Sequence, residues 1–218
     1  HENYGQTHTF PIELVNKNLA EIYLKNYKKE CRLCEGIDLE FIHSFGLSPL
    51  ANNLSIVINQ ESTAYPLELN FCQECSNVQL NTVVDAKLLF DQYLYTSSTS
   101  KVFVEHFEKI AETLVEKFQL DKNSFVVDIG SNDGIFLKPL KRKGIKVLGI
   151  EPAANLAKLA NKEKLTTINA YFDSKTVNQI KVKYGHADIV TAFNVFAHSD
   201  FLKEIAEASF NLLKKDGV

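Results

Sequence analysis

The stretch Val126-Val127-Asp128-Ile129-Gly130-Ser131-Asn132-Asp133-Gly134 leaves this chain few ways to fold. A short apolar run ends in an acidic residue, a glycine-bounded turn follows, and Ile135 to Lys143 then has the pattern of a helix. Glycine at 130 and 134 permits φ > 0 and close approach of backbone, so the turn is expected to present amide N–H groups to a ligand at the start of the helix. A second apolar run, Val147 to Ile150, ends in Glu151-Pro152, about 20 residues after Asp128. A carboxylate at that place can accept hydrogen bonds from both hydroxyls of a ribose. These features predict a nucleotide-binding α/β domain with a parallel sheet.

The spacing of the glycines narrows the ligand. A dinucleotide site needs G-x-G-x-x-G so that the pyrophosphate can settle on the helix, and this turn instead carries Asn132 and Asp133 between its glycines. Acidic groups repel a pyrophosphate and suit a cation, and S-adenosylmethionine carries both a sulfonium and an ammonium group. The turn resembles motif I of the class I methyltransferases, with Asn132 where many members have glycine. A plain α/β turn without a ligand is the alternative reading.

Four cysteines, all in CxxC pairs, organise the earlier part of the chain: Cys31 with Cys34 and Cys72 with Cys75. Each pair puts two sulfurs on one tight turn, and two such turns can complete a tetrahedral thiolate site for structural Zn²⁺. The stretch between the pairs is longer than in a usual zinc ribbon. Two disulfides, or a redox CxxC, are the alternatives; the first requires an oxidising compartment and the second normally occurs once in a βαβ setting. Leu39 to Phe45 and Tyr65 to Phe71 have the content of strands. In the first 30 residues, Phe10 to Val15 is a candidate strand and Leu19 to Tyr27 a candidate helix, and His1 and His8 are expected to be solvated.

After the second cysteine pair, Leu88-Leu89-Phe90 reads as a short helix and Tyr93 to Ser100 as a polar loop. The next helix shows a core face at Phe103, Phe107, Ile110, Leu114 and Phe118, in steps of three and four. It is expected to pack the zinc module against the α/β domain. Asn155 to Asn161 should be a helix, Thr166 to Ile168 a third strand and Ala187 to Phe193 a fourth, with His198 at its carboxyl end. Pro139 falls inside the first helix pattern and should kink it. Asn169-Ala170-Tyr171-Phe172-Asp173 follows the third strand, where an aromatic and an acid could hold an adenine ring and its amino group, or form only a loop with a buried Phe.

The net charge of −3 is unevenly spread, with acidic residues in excess over 31–120 and basic ones over 121–218. An acidic zinc module disfavours nucleic-acid binding there. No apolar stretch has the length of a membrane helix. The chain starts without Met and stops where a further strand is due, so it reads as an internal fragment of a cytoplasmic protein, expected to be a monomer.

Taken in order, Cys31-x-x-Cys34, Leu47 to Asn52, Tyr65-Pro66-Leu67, Cys72-x-x-Cys75, Gln79-Leu80, Tyr93-x-Tyr95-x-Ser97-Ser98, Asp128 to Gly134, Gly149 to Pro152 and Asn194 to His198 resemble the sugar C-methyltransferases that act on nucleotide-linked 4-keto-deoxysugars. The resemblance runs from about Cys31 to Val218. It implies a small zinc-binding α+β module (31–84), a connecting loop and helix (85–120) and an incomplete class I, Rossmann-like doubly wound methyltransferase domain (121–218), with 1–30 unassigned. It also implies S-adenosylmethionine held by Asp128, Gly130, Ser131, Asn132, Asp133 and Gly134, with Glu151 and Pro152 at the ribose, Phe172 at the adenine and Asn194 nearby. His198, Tyr93 and Tyr95 would face a nucleotide-sugar substrate. For His198 a capping hydrogen bond, and for the tyrosines ordinary turn chemistry, are the competing readings. The family's C-terminal domain carries a Tyr-x-Glu-His motif with no counterpart here. Rival readings are a zinc-containing RNA base methyltransferase, a non-catalytic zinc-ribbon interaction module and a nicotinamide-dependent oxidoreductase.

Overall fold

A computed structural model describes residues 24–51, 54 and 62–218, in two compact units that meet in sequence at Val84 and Asp85. The candidate strand Phe10 to Val15, His1, His8 and most of the helix expected before Tyr27 lie outside the described residues.

The first unit is built on a three-stranded antiparallel sheet in the order β1 (Leu39–Pro49), β2 (Ala64–Cys72), β3 (Val78–Leu80). β1 pairs with β2 from Leu39↔Cys72 to Pro49↔Ala64, with two irregularities in register. The expected strands are therefore present and longer than their apolar cores suggested. β3 is too short to have a pattern of its own and exists because Leu69, Asn70 and Phe71 offer it a ladder.

The second unit begins with the short helix α1 (Ala86–Phe90), a 3₁₀ turn at Ser97–Thr99 and α2 (Lys101–Phe118). Ser100 caps α2 by accepting from the Phe103 N–H at 3.4 Å. A four-stranded parallel sheet follows in the spatial order β6 (Thr167–Ile168), β5 (Lys146–Ile150), β4 (Phe125–Ile129), β7 (Ile189–Ala192). The connections are α3 (Leu137–Arg142), α4 (Ala154–Lys162) and α5 (Ser174–Tyr184), and α6 (Leu202–Leu212) comes after β7.

β4 is buried along its whole length, and its side chains alternate between two cores. Phe125, Val127 and Ile129 pack with α5 and α6 through Val177, Ile180, Ala208 and Leu212. On the opposite face Val126 meets Phe107 and Ala111 of α2, Leu137 and Leu140 of α3 and Ala160 of α4. Each fully buried Leu, Ile or Phe here contributes about 1.5–3 kcal/mol. Helices on both faces make this the doubly wound, Rossmann-like class I methyltransferase fold, whose ligand crevice lies outside the carboxyl ends of the strands. Pro139 causes no interior kink, because α3 starts at Leu137 and the proline stands in the first turn, where its missing N–H is not required. Among the described residues no helix is long and apolar enough to cross a membrane.

Candidate cofactor and metal sites

The cysteine turns are near copies of each other. Cys31 N–H donates to Gly36 C=O and Glu35 N–H to Cys31 C=O, both at 2.8 Å. Cys72 N–H donates to Asn77 C=O and Ser76 N–H to Cys72 C=O, again at 2.8 Å. Each turn closes through a residue with positive φ, Glu35 at 64° and Ser76 at 63°. The four Sγ atoms lie within 4.8 Å of one another, with Cys31 to Cys75 at 3.6 Å and Cys34 to Cys72 at 3.5 Å. A tetrahedral zinc with Zn–S bonds of ~2.3 Å requires sulfurs roughly 3.8 Å apart. These separations are well beyond the roughly 2.05 Å of an S–S bond, and no cysteine is disulfide-bonded, so the geometry is that of a shared ion and not of two disulfides.

Electrostatics also fits a cation. Burial pushes the Cys31 thiol up, but the N–H groups of Cys34 and Leu33 and the Asn77 amide outweigh it and bring it down to about 6. The Gly36 N–H lowers Cys34, yet the three sulfurs beside it push it up to about 12. Four thiolates cannot share this volume without positive charge, and Zn²⁺ with four protein ligands makes a closed, structural site. Asn77 Nδ2 donates to Cys31 Sγ at 3.6 Å, and the buried Gln79 accepts the Arg32 N–H at 2.9 Å and donates to Glu30 C=O at 3.0 Å. These two residues orient the first cysteine turn.

In the second unit, β4 and β5 end side by side in two buried carboxylates, Asp128 and Glu151. Asp128 Oδ1 accepts from Thr191 Oγ1 at 2.7 Å, because Asp128 and Thr191 are register partners on β4 and β7. Burial, opposed by that hydrogen bond and reinforced by the charge of Glu151, pushes Asp128 up to about 7. Burial also raises Glu151, against the pull of two amides: its Oε2 accepts from Asn132 N–H at 2.7 Å and its Oε1 from Ala153 N–H at 2.8 Å.

The glycine turn has the expected backbone, with φ of 65° at Gly130 and 79° at Gly134. Its amides, however, are not open to a ligand as the sequence suggested. Gly130 and Ser131 donate to Ile150 C=O, Asn132 to Glu151, Asp133 to Asn132 Oδ1 and Gly134 to Ser131 C=O. The turn closes on itself and on β5, so ligand recognition falls to side chains and to the outer lone pairs of the carboxylates. A Cβ at Gly130 would come 2.6 Å from Val195 Cγ2, and one at Gly134 would come 2.3 Å from Leu165 Cδ1. Both glycines thus permit close contact as well as φ > 0.

Asn132 itself stands at φ 52°, a conformation that glycine and asparagine tolerate best. Its Oδ1 accepts from Ser97 N–H at 3.0 Å and its Nδ2 donates to Tyr95 C=O at 3.1 Å. Asp133 is buried, with Lys138 Nζ at 3.3 Å from its Oδ2 and 2.9 Å from Glu163. Ser131 Oγ and Asp133 Oδ1 are buried without a hydrogen-bond partner.

Tyr93 and Tyr95 lie on the segment that crosses this end of the sheet. Tyr93 N–H donates to Asn155 Oδ1 at 3.2 Å, and Asn155 Nδ2 donates back to Tyr93 C=O at 2.7 Å. Pro152 C=O accepts from Asn169 Nδ2 at 2.7 Å. Asn194 is exposed at φ 55°, and His198 is exposed in the 3₁₀ turn Phe196–His198 just after β7. Phe172 is 7% exposed and belongs to the core around Val177 and Ile180, as in the buried-loop alternative. Asp173 does not point to an adenine: it caps α5, accepting from Thr176 N–H at 2.7 Å. The neighbouring Tyr171 is 36% exposed, and its hydroxyl donates to Asp91 at 3.2 Å. Thr191 and Asn155 carried no sequence signal for these roles, since each acts through a partner at least 60 positions away, and the same distance hid the tie of Tyr171 to Asp91.

Residues 31–90 match a family described as a zinc binding domain, and residues 102–218 match one described as a methyltransferase domain. The chain belongs to the methyltransferases. Its methyltransferase domain binds S-adenosylmethionine, and its cysteine-bearing domain binds zinc. The chain is 33% identical over 194 residues to the C-methyltransferase NovU of Streptomyces niveus, an alignment covering 87% of this chain and 46% of that protein. It thus spans about half the length of the curated relative it matches. The magnesium protoporphyrin IX methyltransferase of Synechocystis PCC 6803, solved with SAM, shares 17% identity over 51% of this chain and 54% of that one, with a TM-score of 0.42. A PH0226 protein from Pyrococcus horikoshii OT3 shares 17% identity over 56% and 55%, with a TM-score of 0.45.

The donor set fits S-adenosylmethionine. Two adjacent strand-end carboxylates offer negative charge and acceptors to an ammonium and a ribose, and two unpartnered buried oxygens line the turn between them. Lys138, beside the turn, is already paired with Asp133 and Glu163 and so is not free to balance a pyrophosphate.

Proposed function

We propose that this chain is the metal- and cofactor-binding part of a C-methyltransferase that acts on a nucleotide-linked 4-keto-deoxysugar through an enolate. The observation that carries this reading is the 33% identity to a C-methyltransferase over 194 residues, a stretch that takes in both the zinc-binding and the methyltransferase domain. S-adenosylmethionine supplies a methyl group made electrophilic by the sulfonium. Asp128, with the unpartnered oxygens of Ser131 and Asp133, holds the methionine end, Gly130 and Gly134 allowing the turn its close approach; Glu151 beside Pro152 accepts from the ribose hydroxyls. Phe172, buried in the core after β6, supports from below the loop on which the adenine rests, and Asn194 closes the site beside β7.

The substrate's ketone acidifies the hydrogen on the carbon next to it, and a base must remove that proton while a donor steadies the oxygen. His198, exposed at the carboxyl end of β7, is suited to the proton or to the enolate oxygen. Tyr93 and Tyr95, on a segment anchored at both residues, orient the sugar. The zinc stays structural.

The decisive experiment gives the complete protein isotopically labelled S-adenosylmethionine with a set of nucleoside-diphosphate 4-keto-deoxysugars and, separately, with ribosomal and transfer RNA. Label is expected on a sugar carbon next to the ketone. In deuterated water without the methyl donor, the same position should take up deuterium. Transfer to RNA bases and none to sugars would replace this reading with the RNA methyltransferase one.

A further inference from the structure

The segment from Tyr93 to Ser97 carries both candidate substrate tyrosines, and among the described residues its hydrogen bonds to the glycine turn run through one side chain. Asn132 accepts from Ser97 N–H and donates to Tyr95 C=O, while its own backbone N–H is held by Glu151 Oε2. The carboxamide also accepts from Asp133 N–H at 2.9 Å, which fixes its rotation, so oxygen and nitrogen cannot exchange places without losing three bonds. A glycine would meet the φ of 52° at less cost. A side chain is retained here where a bare turn would suffice for the backbone.

We infer that Asn132 is a positioning residue: its carboxamide seats the Tyr93–Ser97 segment over the strand ends and links it to Glu151, so cofactor binding and the seating of the substrate tyrosines are coupled. This rests on the proposal that Glu151 receives the cofactor's ribose. A ligand on Glu151 steadies the carboxylate that holds the Asn132 backbone, and hence the carboxamide that holds Tyr95 and Ser97. By reciprocity, an anchored segment must then favour the cofactor by the same factor.

The test measures the affinity of the complete protein for S-adenosylhomocysteine in wild type, Asn132→Gly, Ser97→Pro and the double variant, with hydrogen exchange of the 93–97 amides. Glycine accepts the backbone at 132, and proline at 97 deletes the N–H that Asn132 receives together with the Ser97 hydroxyl, which takes no part in the bond to Asn132, after a Thr96 whose extended φ of −104° and ψ of 116° suits a following proline. Without ligand, Asn132→Gly should speed exchange of the segment on the order of tenfold. Each single variant should weaken binding about fivefold or more, and the double variant should be no weaker than Asn132→Gly alone. Asn132→Asp, which keeps the acceptor, should restore most of the protection at Ser97.

Additive losses, or wild-type affinity in Ser97→Pro, would overturn the coupling, because a residue that merely supports the turn or touches the ligand has no reason to depend on Ser97. Failure of the wild type to bind S-adenosylhomocysteine would instead remove the cofactor reading, and the coupling with it. Ligand binding without any change in exchange at 93–97 would defeat this inference alone.

Discussion

Asp128→Asn should stabilise the second unit more at high pH than at low pH while weakening the cofactor. Asp128 is buried beneath the strand ends, has Glu151 as a charged neighbour and is held near 7. In the unfolded chain it titrates near the ordinary value of 3.8. An acid raised on folding keeps its proton in the native state between these values, after the unfolded chain has lost its own. Its contribution is therefore greatest below about pH 4, is lost as the pH rises toward 7, and stays lost above it. A shift of three units corresponds to about 4 kcal/mol in total, of which roughly 2–3 kcal/mol falls between pH 5 and pH 8. Asparagine has nearly the same shape, can still accept from Thr191 and does not titrate. The advantage of the variant over wild type should hence grow by that amount, or about 8–10 °C in Tm for a unit of this size. Thermal unfolding of both proteins at the two pH values, without ligand, reads it directly. A Tm difference that is the same at pH 5 and pH 8 would show that Asp128 does not carry a proton in the native state at pH 5. In calorimetric titration with S-adenosylhomocysteine at pH 8, where Asp128 is charged, the variant should lose at least tenfold in affinity if Asp128 faces the ammonium as proposed.

Glu151→Gln replaces one acceptor of two backbone N–H bonds with an amide donor; it should cost about 1–3 kcal/mol in stability and lower cofactor affinity, and an unchanged titration would remove Glu151 from the site. Gly134→Ala places a Cβ 2.3 Å from Leu165 Cδ1 at a φ of 79°, so a loss of roughly 2–4 kcal/mol is expected in chemical denaturation, and a neutral result would mean the turn relaxes freely. Protein prepared without chelator should contain one equivalent of zinc, and Cys75→Ser should lose it; metal analysis well below one equivalent in the wild type would reject the thiolate site. His198→Asn in the complete protein should slow turnover more than it weakens S-adenosylhomocysteine, and a wild-type rate would end its assignment.

Much of this could be read directly because it is local. The run from Val126 to Lys143 encodes a buried strand, a positive-φ turn and a helix within one window, and all three are present. The α2 pattern is likewise carried by its own periodicity: Phe107 is buried and Ile110, Leu114 and Phe118 pack against the same core, although Phe103 remains 39% exposed. Helix α5 was not legible as a helix, since only Thr176, Val177 and Ile180 are buried along it. Its clearest mark, the capping Asp173, resembled a ligand group instead, because one carboxylate serves either purpose equally well in a one-dimensional string.

The amino-acid sequence by itself determined the elements, the two cysteine turns and the acidic residues at the ends of β4 and β5, since propensity, periodicity and short-range turn chemistry act within a few residues. Only the tertiary structure decided what those residues meet. Register between β4 and β7 brought Thr191 to Asp128, and burial on both sheet faces raised that carboxyl. Closure of the glycine turn on β5 consumed the amides that the sequence had offered to a ligand and gave Glu151 a second task. Crossing of the Tyr93–Ser97 segment made Asn132 a three-way junction. Hydrogen bonds and desolvation depend on distance in space, and the chain brings these groups together only after the sheet has formed.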